Sequence, residues 1–236
     1  MKKIKIFGVN INQISSNDAL AFITDYLALS NNQPLSITTP NPEILVAIRK
    51  KPELKTYLNS AELALPDGQG VVWASKGEIS ERVTGTDMMM KLLSHANSNH
   101  LSVGFVVNPE GLSSNEDISN VMKKNFSNCK ISFINDPVTS SESYPDIIFI
   151  GLGFPQQEQW VFEKQQIIKQ KCVLMTVGGG IDFLTNKQVR APLFIRQIGL
   201  EWLWRLIKQP KRFKRIFTAI IVFPILFTFD NFFRNK

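Results

Sequence analysis

The sequence has few of the residues that hold metal ions or covalent cross-links. It contains two cysteines and two histidines among 236 residues. Cys129 and Cys172 form neither a metal-binding spacing nor a disulfide framework, so we predict buried thiols in a reducing compartment. His95 and His100 lie in one polar stretch, with no other metal-binding side chain at ligand spacing. We predict that this stretch is a surface loop and that the chain has no metal site.

Signals for export and for common phosphate-binding sites are also absent. Residues 1–10 are basic but contain no long apolar run, so we expect no signal peptide here and a cytoplasmic body. The chain has no Gly-Lys-Ser/Thr phosphate loop and no Asp-x-Asp pair, the usual carboxylate clamp for a metal-bound sugar nucleotide. A diphosphate bound here would be neutralised by Arg, Lys, backbone N–H groups or a helix N-terminus, without a cofactor.

Positive charge is concentrated near the end of the chain. The whole sequence carries a formal charge of +7 and is 44% hydrophobic, which is enough for a sizeable core. Residues 187–236 contain eleven basic residues and two acids, so they carry +9 and the preceding 186 residues carry about −2. Because the basic surface belongs to one segment, we do not expect a protein that wraps nucleic acid over its whole face.

Six short apolar runs end in polar or glycine-rich turns, as strands buried in a parallel sheet do. Helical patterns lie between the runs and open at Pro42, Asp87 and Pro155. This alternation predicts an α/β domain over residues 1–186, with an open, mostly parallel, Rossmann-like sheet flanked by helices. Residues 108–125 and 138–144 are polar and predict surface loops or weak helix. The apolar runs are residues 35–39, 62–65, 101–107, 130–134, 146–150 and 172–177.

In such a sheet the ligand crevice lies at the carboxyl ends of the strands. Taken alone, Asp67 before Gly68 is common turn chemistry, and the three glycines at 178–180 lack the spacing of a dinucleotide fingerprint. Their shared position at the predicted edge of the sheet makes them candidates for a binding site. The residues that this rule selects are Thr39, Asn41, Asp67, Gly151, Gly153 and residues 178–180.

The C-terminal segment combines basic, aromatic and apolar residues. A basic cluster at residues 211–215 precedes residues 216–229, fourteen positions without a charge. As a helix these would extend about 21 Å, which is less than the roughly 30 Å hydrocarbon core of a bilayer, and Pro224 interrupts them. We predict that residues 187–236 form a helical appendage that lies in the interface of an anionic membrane. A buried helix with a solvated charge run and a single spanning helix are the alternatives.

Seven motifs in order resemble the WecG/TagA/CpsF glycosyltransferase family (glycosyltransferase family 26). Each motif is short, but their order and spacing cover nearly the whole chain. The motifs are TPNPE at 39–43, PDGQGVV at 66–72, ERVTGTD at 81–87, GLGFPQQE at 151–158, VGGGIDF at 177–183, RAP at 190–192, and GLEWLWRL at 199–206 with Pro210, Arg212 and Arg215.

The resemblance implies a particular transfer reaction. Members of this family carry out inverting, metal-independent transfer from a UDP sugar, commonly UDP-N-acetylmannosamine or its uronic acid. The acceptor is a sugar on an undecaprenyl diphosphate at the inner face of the cytoplasmic membrane, in the synthesis of cell-surface polysaccharide. The expected partners are therefore a UDP-sugar donor, a polyprenyl-diphosphate-linked acceptor and an anionic membrane surface, with no nucleic acid. A second copy of the chain is a further candidate, because an apolar tail would dock on it where no membrane is present.

The resemblance also implies roles for individual residues. Asp67 is similar to the general base that takes the proton of the acceptor hydroxyl group, because inverting transfer needs one such carboxylate. For the residues named below, the structural alternative is a role in a turn, at a helix start or in a salt bridge. For the tail arginines the alternative is attraction to anionic lipids. The resemblance implies that Thr39 and Asn41 lie near the reacting sugar, that Gln157 contacts the donor and that Arg82 is a functional arginine. It also implies that Arg205, Arg212 and Arg215 close over diphosphates, and Gly153 and Gly179 complete the predicted substrate-binding set.

The sequence departs from the family after residues 103–107. Asn108-Pro109-Glu110-Gly111 follows where the family has a glycine pair, the stretch to Asp146 is short, and the usual His-Gly-Tyr-Phe-like segment is absent. This motivates one alternative, a catalytically degenerate, membrane-peripheral member that binds a nucleotide or a partner. A nucleic-acid-binding protein is a weaker alternative, motivated by basic residues interleaved with Trp and Phe.

Overall fold

The computed structural model describes residues 1–30, 32–134, 143–197 and 199–234. The serine-rich stretch predicted as a loop at 138–144 therefore lies largely outside the described residues. Within them, the chain forms eight strands. These are β1 (Lys3–Ile6), β2 (Val9–Asn12), β3 (Leu35–Thr38), β4 (Leu63–Ala64), β5 (Ser102–Val107), β6 (Lys130–Phe133), β7 (Ile147–Gly151) and β8 (Val173–Thr176).

The helices of the described residues surround these strands. Pro42 and Pro155 stand at helix starts as predicted, but the helix assigned to Asp87 begins two residues earlier, because Thr84 is its cap. The helices are α1 (Ser16–Ala28), α2 (Pro42–Lys50), α3 (Lys55–Asn59), α4 (Gln69–Ala74), α5 (Gly85–Ser98), α6 (Asn115–Asn125), α7 (Gln156–Ile167), α8 (Gly180–Leu184), α9 (Leu193–Gln197), α10 (Glu201–Lys208), α11 (Phe213–Phe217) and α12 (Phe223–Arg234).

Six of the strands form one parallel sheet in the order β4-β3-β8-β7-β5-β6. Each of them falls within one of the predicted apolar runs or within one residue of it, so the predicted α/β sheet is confirmed. The carboxyl ends of all six strands lie at the same edge. β3 stands between β4 and β8, so the loops after these three strands are neighbours.

The sequence analysis missed the hairpin of β1 and β2, which is antiparallel and packs beside β4. Its apolar side chains alternate with Lys and Asn, and the inward members Ile6, Val9 and Ile11 are fully buried. Phe7 and Gly8 connect the strands with φ of +49° and +81°, the left-handed pair that a two-residue hairpin turn requires. The alternation itself was the available signal.

The core has three parts. Phe105 and Phe149 point to the face of the sheet covered by α1, α5, α6 and α8, while Ile148 and Leu174 point to the face covered by α7. The third part joins the hairpin, α2, α3 and α4 to Phe223 of the C-terminal segment, which is fully buried. The appendage thus contributes to the core as well as to the surface.

The C-terminal helix is longer than predicted. A π-helical turn, Thr218–Val222, joins α11 to α12, so the helix continues through Pro224 and the predicted interruption is wrong. Proline lacks an N–H and crowds the preceding turn, and the wider π turn just before it changes the spacing of those carbonyl groups. The 21-residue stretch Phe213–Phe233 is long and apolar enough to cross a membrane, by length and composition alone.

Two smaller predictions can also be compared with the structure. Cys172 is buried as expected and Cys129 is partly buried. The histidine stretch is not a loop throughout: His95 lies in the last turn of α5, and only His100 follows the helix. The polar stretch before β6 forms a helix, α6, whose start is fixed by a capping box between Ser114 and Asp117.

Candidate active site

Asp67 stands in the turn between β4 and α4, at the carboxyl edge of the sheet. The Asp67 backbone N–H donates to the Pro40 carbonyl oxygen at 3.2 Å, which ties this turn to the neighbouring one after β3. Gly68 follows with φ +102°, and a Cβ there would lie 2.9 Å from Cδ of Pro42. Glycine at this position lets the turn close against α2 and keeps the Asp67 carboxyl group in a fixed place.

The Asp67 side chain faces a cavity of about 180 Å³ between this edge and the C-terminal helices. One side of the cavity is polar: Arg82 and Arg205 reach it from the body and from α10. The opposite wall is apolar and belongs to the long C-terminal helix, through Ile216 and residues 219–220. A group of charged side chains and an apolar helical wall therefore share one cavity.

Burial raises the pKa of Asp67 to about 6, although Arg82 and Arg205 and the Gly85 N–H favour the charged form. The nearby Glu201 carboxylate adds to the rise. The Gly85 N–H lies 3.4 Å from Oδ2 of Asp67, a long contact that leaves most of the acceptor capacity free. A carboxylate whose pKa lies near neutrality is suited to accept a proton at physiological pH.

Glu201 organises the two arginines beside Asp67. It is 6% exposed, and its carboxylate forms an ion pair with Nη1 of Arg82 at 3.1 Å and accepts a hydrogen bond from Nε of Arg205 at 3.1 Å. Burial alone would raise the pKa of Glu201, but Arg205 and Arg82 outweigh that effect and lower it. Arg205 also stacks over the Phe183 ring at 5.7 Å. Both guanidinium groups are thereby held at the cavity without direct neutralisation of Asp67.

Further arginines join the start of the appendage to the body. Arg190 forms a forked pair with Asp87, with Nη1 and Nη2 at 2.6 and 2.7 Å from the two carboxylate oxygens. Arg196 adds a contact of 3.3 Å to the same carboxylate. Asp87 is in the first turn of α5, whose cap is Thr84. These pairs place α9 and α10 against the carboxyl edge of the sheet.

Arg212 lies between the cavity and the glycine turn after β8. A Cβ on Gly179 would lie 3.8 Å from Nη2 of Arg212. Burial, with Arg215 and Arg205 nearby, lowers the pKa of Arg212, and among the described residues it has no ion pair. Arg215 is paired with Glu43 at 2.6 Å and stays largely exposed. The excess of positive charge here favours an anion such as a diphosphate.

Gln157 is buried and bridges two segments at the sheet edge. Its Oε1 accepts from the Gly178 N–H at 2.9 Å, and its Nε2 donates to Oε1 of Glu158 at 2.8 Å. Burial raises the pKa of Glu158 to about 7, and its other carboxyl oxygen has no hydrogen-bond partner among the described residues. Gln157 therefore fixes the glycine turn. Gly153 has φ +80°, and an added Cβ there would meet no atom within 4 Å, so the space beside it is open.

Thr39 and Asn41 have structural contacts of their own. Thr39 is 6% exposed, and its hydroxyl lies 3.4 Å from the Thr176 carbonyl oxygen, which links β3 to β8. Asn41 caps α2, since its Oδ1 accepts from the Ile44 N–H at 3.0 Å, and it also lines the cavity. Asn41 therefore combines a turn role with a place beside Asp67.

The structure brings some of the predicted site residues into one cavity and leaves others beside it. Asn41, Asp67, Arg82 and Arg205 line it. Sequence reasoning missed Glu201; the available signal was an acid four residues before Arg205, inside a Trp- and Leu-rich helix. No group of three or more His, Cys, Asp or Glu among the described residues is placed to hold a metal. The predicted residues outside the lining are Thr39, Gly153, Gln157, Gly179, Arg212 and Arg215.

A parallel α/β sheet that presents a buried carboxylate of raised pKa beside arginines, at the carboxyl ends of its strands, is the arrangement expected of a binding or catalytic site. The chain belongs to the WecG/TagA/CpsF family of glycosyltransferases, whose model matches residues 4–236. It is therefore a glycosyltransferase, and the resemblance of its motifs is confirmed over almost its full length.

Proteins similar to this chain share a specific name. One, from Bacillus spizizenii strain W23, is 31% identical over 200 residues, which cover 80% of this chain and 77% of that protein. Another, from Staphylococcus aureus strain MRSA252, is 27% identical over 228 residues, which cover 91% of this chain and 88% of that protein. Both are named N-acetylglucosaminyldiphosphoundecaprenol N-acetyl-beta-D-mannosaminyltransferase.

Proposed function

We propose that this chain transfers N-acetylmannosamine, or its uronic acid, from a UDP donor to a sugar on a polyprenyl diphosphate, with inversion at the anomeric carbon. The names of its relatives support the acceptor and the sugar. Family resemblance supports the UDP donor and the inverting course. The product would extend a lipid-linked glycan for cell-surface polysaccharide.

One observation carries this proposal: a single cavity joins Asp67 to an apolar helical wall. An acceptor that hangs from a polyprenyl chain has a polar sugar, a diphosphate and a long apolar tail. The cavity offers a carboxylate of raised pKa for the sugar and Arg205 for negative charge. Ile216 and residues 219–220 offer an apolar surface beside both. The cavity thus offers a surface suited to each group of such an acceptor.

The proposed reaction is one displacement. Asp67 takes the proton from the acceptor hydroxyl group as that oxygen forms a bond to the anomeric carbon. The bond between this carbon and the diphosphate oxygen breaks, and its electron pair leaves with UDP. Attack opposite to the leaving group inverts the configuration. Because the pKa of Asp67 is about 6, the group is mostly ionised and still basic near neutral pH.

The surrounding residues stabilise the charge of the departing diphosphate. Arg205 is one candidate, since it lines the cavity with Asp67. Arg212 lies between the cavity and Gly179 and has no acidic partner among the described residues, so it is available to a diphosphate. Arg215 joins them once its exposed pair with Glu43 opens. Each charge-assisted hydrogen bond of this kind contributes about 1.5–3 kcal/mol.

The remaining predicted residues complete the donor and acceptor pockets. Arg82 supports the donor beside Asp67, and Thr39 and Asn41, which both follow β3, stand near the reacting sugar. Gln157 holds the glycine turn for the donor, and the donor approaches closely because no side chain projects from the glycines there. These glycines are Gly153 and Gly179.

Residues 187–236 act as an appendage to a catalytic domain of residues 1–186, and place it peripherally on the inner face of the cytoplasmic membrane. Phe223 is anchored in the core while Phe217, Ile225 and Phe229 are exposed, each by more than two fifths. A spanning helix would have to withdraw Phe223 from the core and leave a cavity there. An interfacial helix keeps that contact and buries its outer phenylalanines in lipid.

The test is the Asp67→Asn variant, assayed for UDP release with an N-acetylglucosaminyl-diphosphate-polyprenol acceptor. We expect a loss of about 100-fold or more in kcat, since a general base contributes about 10²–10⁴-fold. Asp25→Asn is the matched control, because Asp25 is exposed on α1 and should keep full activity. Near-full activity of folded Asp67→Asn would remove the base assignment. Failure of the wild type to release UDP with any lipid acceptor would instead favour a non-catalytic binding protein.

A further inference from the structure

A second cavity, of about 410 Å³, lies between the N-terminal hairpin and the end of the C-terminal helix. It shares no lining residue with the catalytic cavity. Four elements build it: the β1-β2 hairpin, α2, the start of α3, and α12. None of its residues has a place in the proposed transfer reaction.

The lining of this second cavity is positively charged. Lys5, Arg49 and Lys55 face it, and Asp230 is the acid in its lining. Arg49 holds Asp230 in a forked pair, with N–O distances of 2.8 and 3.2 Å, so this acid is already neutralised. Within the described part of the chain, Lys5 and Lys55 form no ion pair. Two uncompensated ammonium groups therefore line one small cavity.

These cations stand on a rigid support. Asn59 fastens the hairpin to α3: its Oδ1 accepts from the Asn10 N–H at 2.9 Å, and its Nδ2 donates to the Gly8 carbonyl oxygen at 3.0 Å. Lys55 crosses directly over Gly8, where an added Cβ would lie 3.1 Å from the ammonium nitrogen. The turn that carries Gly8 thus shapes the cavity floor and leaves room for the Lys55 head group.

The other wall of the cavity is aromatic. Phe227 packs on Phe7 at 6.3 Å between ring centroids. Phe229 and Phe233 form a close pair at 4.5 Å and are 56% and 57% exposed. These rings belong to the helix that we place in the membrane interface. A ligand in this cavity would meet cations on one side and exposed, apolar rings on the other.

We propose that this cavity binds the phosphate of an anionic membrane phospholipid, with Lys5 and Lys55 on the phosphate and the acyl chains along Phe229 and Phe233. A soluble phosphate would use the cations but leave the exposed rings unpaired, whereas a phospholipid satisfies both surfaces. This inference rests on the proposed placement of the chain at a membrane. It adds the N-terminal hairpin as a second contact, which holds the body at a fixed angle to the lipid surface.

The first test is binding of the full chain to vesicles of phosphatidylglycerol mixed with phosphatidylcholine. Each removed lysine should weaken binding about 5-fold, and the Lys5→Ala, Lys55→Ala double variant about 25-fold, since a basic residue near an anionic surface contributes on the order of 1 kcal/mol. The control is Lys123→Ala with Lys130→Ala, which removes equal charge at the opposite end of the sheet. Equal losses in both pairs would overturn the site, since only overall charge would then matter.

The second test uses dihexanoyl phosphatidylglycerol below its critical micelle concentration, titrated into the protein by calorimetry. One saturable site is expected, lost in Lys5→Ala, Lys55→Ala and kept in Lys5→Arg, Lys55→Arg. Unchanged unfolding midpoints would show that the alanine variants are folded. Equal competition by inorganic phosphate would reduce the site to a general anion site and overturn the lipid assignment.

An activity assay distinguishes a failure of this inference from a failure of the proposed function. With a detergent-solubilised acceptor, Lys5→Ala, Lys55→Ala should release UDP at the wild-type rate, because neither lysine lines the catalytic cavity. If the wild type transfers sugar but binds no short-chain phospholipid, only the second site is wrong. If it binds the phospholipid but transfers nothing, only the proposed reaction is wrong.

Discussion

Asp67→Asn should make the protein more stable while it removes activity. Burial raises the pKa of Asp67 from 3.8 to about 6, although Arg82 and Arg205 attract the carboxylate. The folded chain therefore holds this proton more tightly than the unfolded chain does. Above about pH 6 the site must be ionised at the expense of folding stability, and a neutral asparagine of the same shape avoids that penalty.

The size of the effect follows from the shift. A pKa difference of one unit corresponds to about 1.4 kcal/mol, so the rise at Asp67 corresponds to about 2–3 kcal/mol at neutral pH. The attraction of the arginines is already contained in this net shift. Below pH 3.8 the carboxyl group is protonated in both states and the penalty is absent. It grows as the pH rises from there and is complete above about pH 6.

Urea unfolding of wild type and Asp67→Asn at about pH 7.5 and about pH 4 measures this difference. The variant should be more stable by about 2–3 kcal/mol at the higher pH and nearly equal to the wild type at the lower pH. Taking the difference between two proteins at each pH removes the contribution of the other carboxylates. A variant that is less stable than the wild type at neutral pH would refute the raised pKa of Asp67. A stability difference between the two proteins that does not change with pH would refute it as well.

Three further predictions concern residues around the same cavity. Glu201→Gln should move the acid limb of the pH profile of kcat/KM to lower pH, because Glu201 raises the pKa of Asp67; an unmoved limb would contradict this coupling. Arg212→Ala with Arg215→Ala should lower kcat by about 10-fold or more, with little change in unfolding midpoint. Undiminished turnover would show that the two arginines only attract anionic lipids. Phe223→Ala should lower the free energy of unfolding by about 3–5 kcal/mol, measured in urea, and a loss below about 1 kcal/mol would contradict its core position.

The strands were predictable because buried parallel strands leave a simple trace. Each is a short apolar run that ends where the chain turns, and the polar residue at the turn is at the functional edge by topology alone. Asp67 was selected as a candidate in this way. The hairpin was missed because its apolar residues, Ile4 to Ile11, are separated by Lys and Asn, so no continuous run marks it. The alternation of apolar and polar residues identifies these strands only when a period of two residues is sought.

Other features depend on contacts that the sequence does not contain. Glu201 looks like one acid in a basic segment, and its role appears only when Arg82 arrives from a distant loop to share it with Arg205. Pro224 breaks an ordinary helix, but the π turn before it is selected by the packing of α11 and α12 on the body. Sequence composition located the appendage; packing determined which of its residues face inward.

The spacing of those inward residues explains how one helix serves two surfaces. Ile216, Ile220, Phe223 and Phe227 follow one another at three or four residues, so they share one helical face. The first two line the catalytic cavity, Phe223 enters the core, and Phe227 lines the second cavity. Other positions of the helix carry the exposed phenylalanines, of which Phe229 and Phe233 border the second cavity. Lifting this helix from the body would therefore open the apolar wall of the Asp67 cavity and the second cavity together. The reaction proposed for Asp67 thus depends on the position of the helix against the body as well as on its apolar length.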